Sequence, residues 1–220
     1  MRHFDEIYEI AAARKGGPEA LEAMLPQPAT AAELAALPED RWLAQFSKSI
    51  FQAGFNWKVI EAKWDGFEEA FHGFDVGKCA FMDDDMFDGL LSDTRIVRNG
   101  TKIEAVRDNA AFLMDLRKDG GVGAVMGGWP SEDFIGLMDL LKTKGSRLGG
   151  STAQYALRFM GRDSWVMSVD VVARLVAEGV IDKAPTSKRA QRQVQDAFNA
   201  WMDQSGRGLT QISRVLAMSV

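Results

Sequence analysis

The amino-acid sequence predicts an all-α protein, and three observations carry that expectation. Apolar residues recur at three- and four-residue spacing along most of the chain, β-branched alternation is nearly absent, and the periods are punctuated by helix-start and helix-stop residues. Residues 3–14 read as a short amphipathic helix closed by Gly16-Gly17-Pro18, and Pro26 to Pro28 as a connector. Thr30 followed by Glu33 is a capping-box pattern opening a short helix. Pro38-Glu39-Asp40 starts the next, carrying Trp42, Leu43, Phe46 and Ile50 at helical spacing and ending at Gly54. Trp57 to Phe71 reads as one helix, Asp75 as the cap of a short turn, and Asp83 to Leu91 as a short helix. Thr101 to Leu116 is long and amphipathic, with Ile103, Val106, Ala110 and Leu113 on one face. Gly120 to Gly128 reads as a glycine-rich loop. Ser131 to Leu141 and Ser151 to Met160 are helices joined by a turn, Gly145 to Gly150. Helices near 168–179, 187–204 and 208–218 complete the chain.

The 220 residues suffice for one helical domain with a real core, or for two helical lobes with a cleft between them. No apolar run reaches membrane-spanning length and the N-terminus has no apolar leader, so no membrane partner and a cytoplasmic location are expected. The single cysteine, Cys79, excludes an internal disulfide and argues against a cysteine-rich metal site. A net charge of −5 does not announce a nucleic-acid binder, but its distribution is uneven. Acids cluster early, at Asp83-Asp84-Asp85, whereas Lys142, Lys144, Arg147, Arg158, Arg162, Lys183, Lys188, Arg189 and Arg192 follow later. Such a spread also fits an ordinary solvated helical surface.

Three constellations could carry chemistry. The turn Gly145-Ser146-Arg147-Leu148-Gly149-Gly150-Ser151-Thr152 lies between two helices. Its glycines allow tight turning and exposed amides at a positive helix start, which can grip a phosphate; a plain connector would look the same. Asp170, in Ser168-Val169-Asp170-Val171-Val172, is either a first-turn charge or a carboxylate that stabilises a developing sugar cation or orients a water. In Gln52-Ala53-Gly54-Phe55-Asn56-Trp57, the aromatics at a helix junction either belong to the core or sandwich an extruded base.

Residues 52–113 carry a resemblance. Gln52-Ala53-Gly54-Phe55-Asn56-Trp57, Ala70-Phe71-His72-Gly73-Phe74-Asp75, Arg95-Ile96-Val97-Arg98-Asn99, Lys102-Ile103 and Asn109-Ala110 resemble the DNA-3-methyladenine glycosylase I family, with weaker similarity around Gly150-Ser151-Thr152 and Tyr155. The resemblance implies a helix-hairpin-helix DNA glycosylase fold with the hairpin at about 131–161, and excision of an alkylated base such as 3-methyladenine. It implies that Trp57 stacks on the base and that Gly149 to Thr152 hold DNA, with Arg147 of the same turn as a further DNA-binding candidate. It also implies that Asp170 stands where the wider superfamily keeps a catalytic aspartate. Phe46, Phe55, Ser49 and Gln52 are the further base-binding candidates. Two departures stand out. Ser49 occupies the position of a family glutamate that contacts the base, and the two histidines with Cys79 cannot supply the family's zinc ligands, so no metal or other cofactor is expected.

The expected function is a monofunctional glycosylase acting on double-stranded DNA with a damaged base, as a monomer. The alternatives are a non-catalytic DNA-binding relative, which Ser49 favours, and a helical interaction protein unrelated to DNA, which the acidic charge favours.

Overall fold

The computed structural model describes residues 1–220 and contains no strand. The helices are α1 (Phe4–Lys15), α2 (Pro18–Glu22), α3 (Ala31–Ala36), α4 (Glu39–Gln52), α5 (Trp57–Ala62), α6 (Trp64–Ala70), α7 (Val76–Ala80) and α8 (Asp84–Ser92). They continue with α9 (Gly100–Leu116), α10 (Val122–Gly128), α11 (Phe134–Lys144), α12 (Gly150–Phe159), α13 (Val169–Ala177), α14 (Lys188–Ser205) and α15 (Leu209–Met218). No helix is long and apolar enough to cross a membrane. Two units divide the chain: residues 1–29, 129–137 and 161–220 form one, and residues 30–128 with 138–160 form the other.

In the first unit, the apolar faces of α1, α13, α14 and α15 meet, and Phe4, Ile7, Phe198, Trp201, Ile212 and Leu216 are fully buried or nearly so. Phe134, Trp165 and Phe198 pack ring against ring. Helix α15 begins at Gly208, which offers no side chain as a cap; the Asp163 carboxylate takes that role, accepting the Leu209 and Thr210 amides at 3.0 and 2.8 Å. Arg174, almost buried, is matched by Glu178 and by Ser219 at the chain's far end.

The second unit is organised around α4 and α9. Helix α4 buries Trp42, Leu43, Phe46, Ile50 and Phe51, and packs on α9 and α12. From α9 the expected face, Ile103, Val106, Ala110 and Leu113, is wholly buried. Each such side chain contributes about 1.5–3 kcal/mol over its exposed state.

Four local expectations need correction. The stretch from Gly120 to Gly128 is a helix, α10, not a loop. Its glycines permit close approach to α3: a Cβ on Gly123 would sit 2.3 Å from the Leu34 carbonyl oxygen, and one on Gly127 3.0 Å from the Leu34 Cβ. Only Gly120 and Gly121, both with positive φ, make the turn. The helix expected from Trp57 to Phe71 is two helices, because Lys63 leaves helical geometry at φ −102 and ψ 3. Asp75 does cap the segment that follows, its Oδ1 accepting the Lys78 amide at 2.8 Å, but that segment is a helix, α7. Pro18 and Glu19 start a short helix, α2, which the break at Gly16-Gly17 concealed.

The Phe71-His72-Gly73-Phe74-Asp75 step is a left-handed turn, with φ of 53 at His72, 68 at Gly73 and 58 at Phe74. Such backbone persists only where its surroundings fix it. Here Phe71 and Phe74 are stacked at 5.3 Å in a buried ladder with Trp64 and Phe67, and the Gly73 carbonyl accepts a bond from Arg41 at 2.7 Å. Cys79 lies buried beneath this turn, its thiol held against the Phe71 carbonyl, and burial pushes its pKa up to about 12.

Candidate functional site

Helix α4 ends because Ala53 turns to extended backbone and Gly54 takes φ +75. Asn56 then caps α5, its Oδ1 accepting the Lys58 amide at 3.0 Å. The connection leaves every residue from Ala53 to Val59 exposed, and among them Phe55 and Trp57 are each 42% exposed. Large aromatics left in water at a helix junction are more informative than aromatics in a core.

A cavity of about 210 Å³ opens at this junction. Ser49, Gln52, Phe55 and Trp57 line one side, and Ser151, Thr152 and Tyr155 of α12 line the other. The Trp57 indole meets Tyr155 edge-on at 5.4 Å and Phe159 at 6.0 Å, and Tyr155 stacks with Phe159 at 5.9 Å. The result is an aromatic rim over a polar wall, the combination that suits a planar heteroaromatic ligand. The wall is ordered. The Gln52 amide donates to Glu61 Oε1 at 3.0 Å, and Ser49 Oγ accepts from Gln45 at 3.1 Å.

Beside it lies a second cavity of about 290 Å³, lined by Ile50, Ala53, Lys102, Arg147 and Thr152. Lys102, only 5% exposed, donates to the carbonyls of Phe51 at 3.1 Å and Ala53 at 2.7 Å, satisfying the end of α4. Its ammonium also lies 4.4 Å from the Phe55 ring centroid. Burial, and secondarily the Arg147 guanidinium, pull its pKa down to about 8.

The turn before α12 is held from below by α9. Asn109, fully buried, donates to the Ser146 carbonyl and accepts the Ser146 amide, both at 2.9 Å. Gly145 admits no side chain, since a Cβ would lie 2.6 Å from the Leu141 carbonyl oxygen. Arg147 adopts φ 58 and is exposed. Gly149 precedes α12 without any side-chain cap, so the first-turn amides at Gly150, Ser151 and Thr152 face an uncapped helix start.

The structure therefore brings together Ser49, Gln52, Phe55, Trp57, Ser151 and Thr152, with Arg147, Gly149 and Gly150 in the adjoining turn. Phe46 needs correction. It is fully buried, edge-on to Trp42 at 6.0 Å, on the core face of α4, and does not line the cavity. Asp170 belongs to the other unit, exposed in the first turn of α13 behind the Ser168 cap, and takes no part in the cavity described. Sequence reasoning missed Phe159 and named Lys102 and Tyr155 only within the resemblance, without a role. Tyr155 and Phe159 are one turn apart on α12, an i, i+4 aromatic pair that signals a shared face. No group of three or more His, Cys, Asp or Glu side chains is arranged to hold a metal ion.

The methyladenine glycosylase family profile matches residues 39–126, which run from the start of α4 into α10. DNA-3-methyladenine glycosylase 1 of Escherichia coli is 32% identical over 69 residues, and the Haemophilus influenzae DNA-3-methyladenine glycosylase 33% over 69. In each case the match covers 31% of this chain and spans 37% of the relative. A solved structure of 3-methyladenine DNA glycosylase I from Staphylococcus aureus superposes with a TM-score of 0.51 at 23% identity, covering 62% of this chain and 80% of that one. A variant 3-methyladenine DNA glycosylase I in complex with 3-methyladenine gives 0.52 at 21% identity, covering 69% and 90%. The helical DNA glycosylase fold is thus present. Over residues 39–126 the sequence is similar to the methyladenine glycosylase family, and the fold is similar to that of the solved 3-methyladenine DNA glycosylases I.

Proposed function

We propose that this protein is a DNA glycosylase that takes an extruded, alkylated base such as 3-methyladenine from duplex DNA and releases it by hydrolysis. The observation that carries the reading is the cavity in which exposed Trp57 and Phe55 meet the ordered Ser49 and Gln52 wall, next to the uncapped start of α12. Arg147 and the α12 amides hold a phosphate, which positions the duplex without reading its sequence. The base leaves the stack and packs against Trp57. A methylated, electron-poor base is a good leaving group, so the protein mainly binds, orients and excludes bulk water while water adds to the sugar C1′. Lys102 directs two of its donors at the backbone carbonyls that end α4, a structural use that supports simple hydrolysis over lyase chemistry. Asp170, the carboxylate expected from the sequence, lies in the other unit outside this cavity and enters only as a variant to be tested.

Base release from a methylated duplex by the wild type, Trp57→Ala and Asp170→Asn tests the reading. Release by the wild type with strong loss in Trp57→Ala supports the pocket, and strong loss in Asp170→Asn adds the carboxylate. Release by Asp170→Asn at the wild-type rate removes Asp170 from the mechanism. A second reading, a non-catalytic DNA-binding relative, is favoured by Ser49 in place of a carboxylate. Salt-sensitive duplex binding without any release would select it.

A further inference from the structure

The polar wall of the cavity has a fixed sense. We infer that Glu61 is a positioning residue that orients the Gln52 amide, so that the pocket presents one acceptor and one donor and selects bases by their hydrogen-bonding edge. The inference rests on the reading of the cavity as a base pocket.

Glu61 stands on α5, outside the cavity, and its two carboxylate oxygens are both engaged. Oε2 pairs with Lys48 Nζ at 2.8 Å and Oε1 accepts the Gln52 Nε2 donor at 3.0 Å. An ionised carboxylate can only accept, so the amide nitrogen of Gln52 must face it. The Gln52 oxygen is thereby the atom left for the cavity that this 96%-buried side chain lines (4% exposed). Ser49, one turn earlier on α4, receives the Gln45 amide on its oxygen, which leaves its O–H free to donate. The wall therefore offers an acceptor from Gln52 and a donor from Ser49. Lys48 neutralises the one nearby carboxylate, and none of the side chains lining the cavity is charged.

An adenine presents the complementary pair, an N6 amino donor beside the N7 acceptor. Methylation at N3 leaves that edge intact. A 6-oxo purine presents two acceptors on the same edge, so its oxygen would face the Gln52 oxygen. Adenine and hypoxanthine, which share ring size and stacking surface, thus separate the edge from the shape. Loss of a buried hydrogen bond together with an unmatched acceptor is a strong discriminator.

The test is calorimetric binding of adenine, hypoxanthine and 3-methyladenine to wild type, Glu61→Gln and Lys48→Met, each checked for folding. The expected result is a preference of about tenfold or more for adenine over hypoxanthine in the wild type, with 3-methyladenine bound at least as well as adenine. In Glu61→Gln the neighbouring amide can face Gln52 either way, so the preference should fall within about threefold while adenine binding stays measurable. A merely structural role for Glu61 would weaken both bases together and leave their ratio unchanged, which would overturn the inference. Equal binding of the two bases by the wild type would also overturn it, while leaving the base-pocket reading standing. Binding of no base by the wild type would overturn both.

Discussion

Two aromatic groups in the same unit show how one residue type is put to opposite uses. Trp64, Phe67, Phe71 and Phe74 stack in a near-parallel ladder, with the three phenylalanines fully buried. Phe55, Trp57, Tyr155 and Phe159 meet edge-on or stack at a cavity mouth, and three of them are at least 42% exposed. The ladder lies on and just after a helix whose i, i+3 and i+4 positions face a core. The rim lies partly on a connection that has no inner face to bury. The lesson is that exposure, not aromatic content, separates rings that hold the fold from rings free to hold a ligand.

The largest effect is expected in the ladder. Phe67→Ala should cost about 3–5 kcal/mol in urea denaturation, as cavity-forming core truncations do, with catalysis per folded molecule little changed. Trp57→Ala should do the reverse: base release falls about a hundredfold, equivalent to about 2.7 kcal/mol, while stability changes by less than about 1 kcal/mol. Equal destabilisation by the two variants would break the distinction. Asn109→Ala removes both bonds to Ser146 and should cost about 2 kcal/mol. It should weaken duplex binding by electrophoretic shift more than it weakens free-base binding, separating the turn from the pocket.

A smaller effect concerns pH. Lys102 has a folded pKa of about 8, below its ordinary 10.5. Between these values the unfolded chain carries more protons than the folded one, so stability rises with pH across that window. In Lys102→Met that part of the rise should vanish from the pH dependence of thermal unfolding, beside a loss from the unmatched Phe51 and Ala53 carbonyls. Smallest is Ser47→Ala. The Ser47 hydroxyl is fully buried without a partner, so its removal should be neutral or stabilise by up to about 1 kcal/mol.

Much of this was legible in the sequence. The α4 and α9 faces followed from their period, Trp57, Phe55 and Gln52 lay in one short motif, and Ser49 came from the resemblance. Phe46 went astray because a period of 3.6 shows that residues share a face but not which neighbour covers it. Helix α10 was hidden because glycine lowers helix propensity in isolation, whereas here its missing Cβ lets two backbones meet. The roles of Lys102 and Asn109 were hidden, since their value lies in carbonyls and amides contributed from 37 to 51 residues away. No local pattern encodes such partners.

Helix α9 has a further consequence. Lys102 secures the end of α4 at the pocket, and Asn109 secures the turn before α12. The two are seven residues apart, hence two turns along one face and about 10 Å along the axis. The helix acts as a gauge bar, setting the span between the turn before α12 and the cavity at the end of α4. Inserting one residue between Lys102 and Asn109 would turn one anchor by about 100° relative to the other, and both ends could no longer be engaged at once.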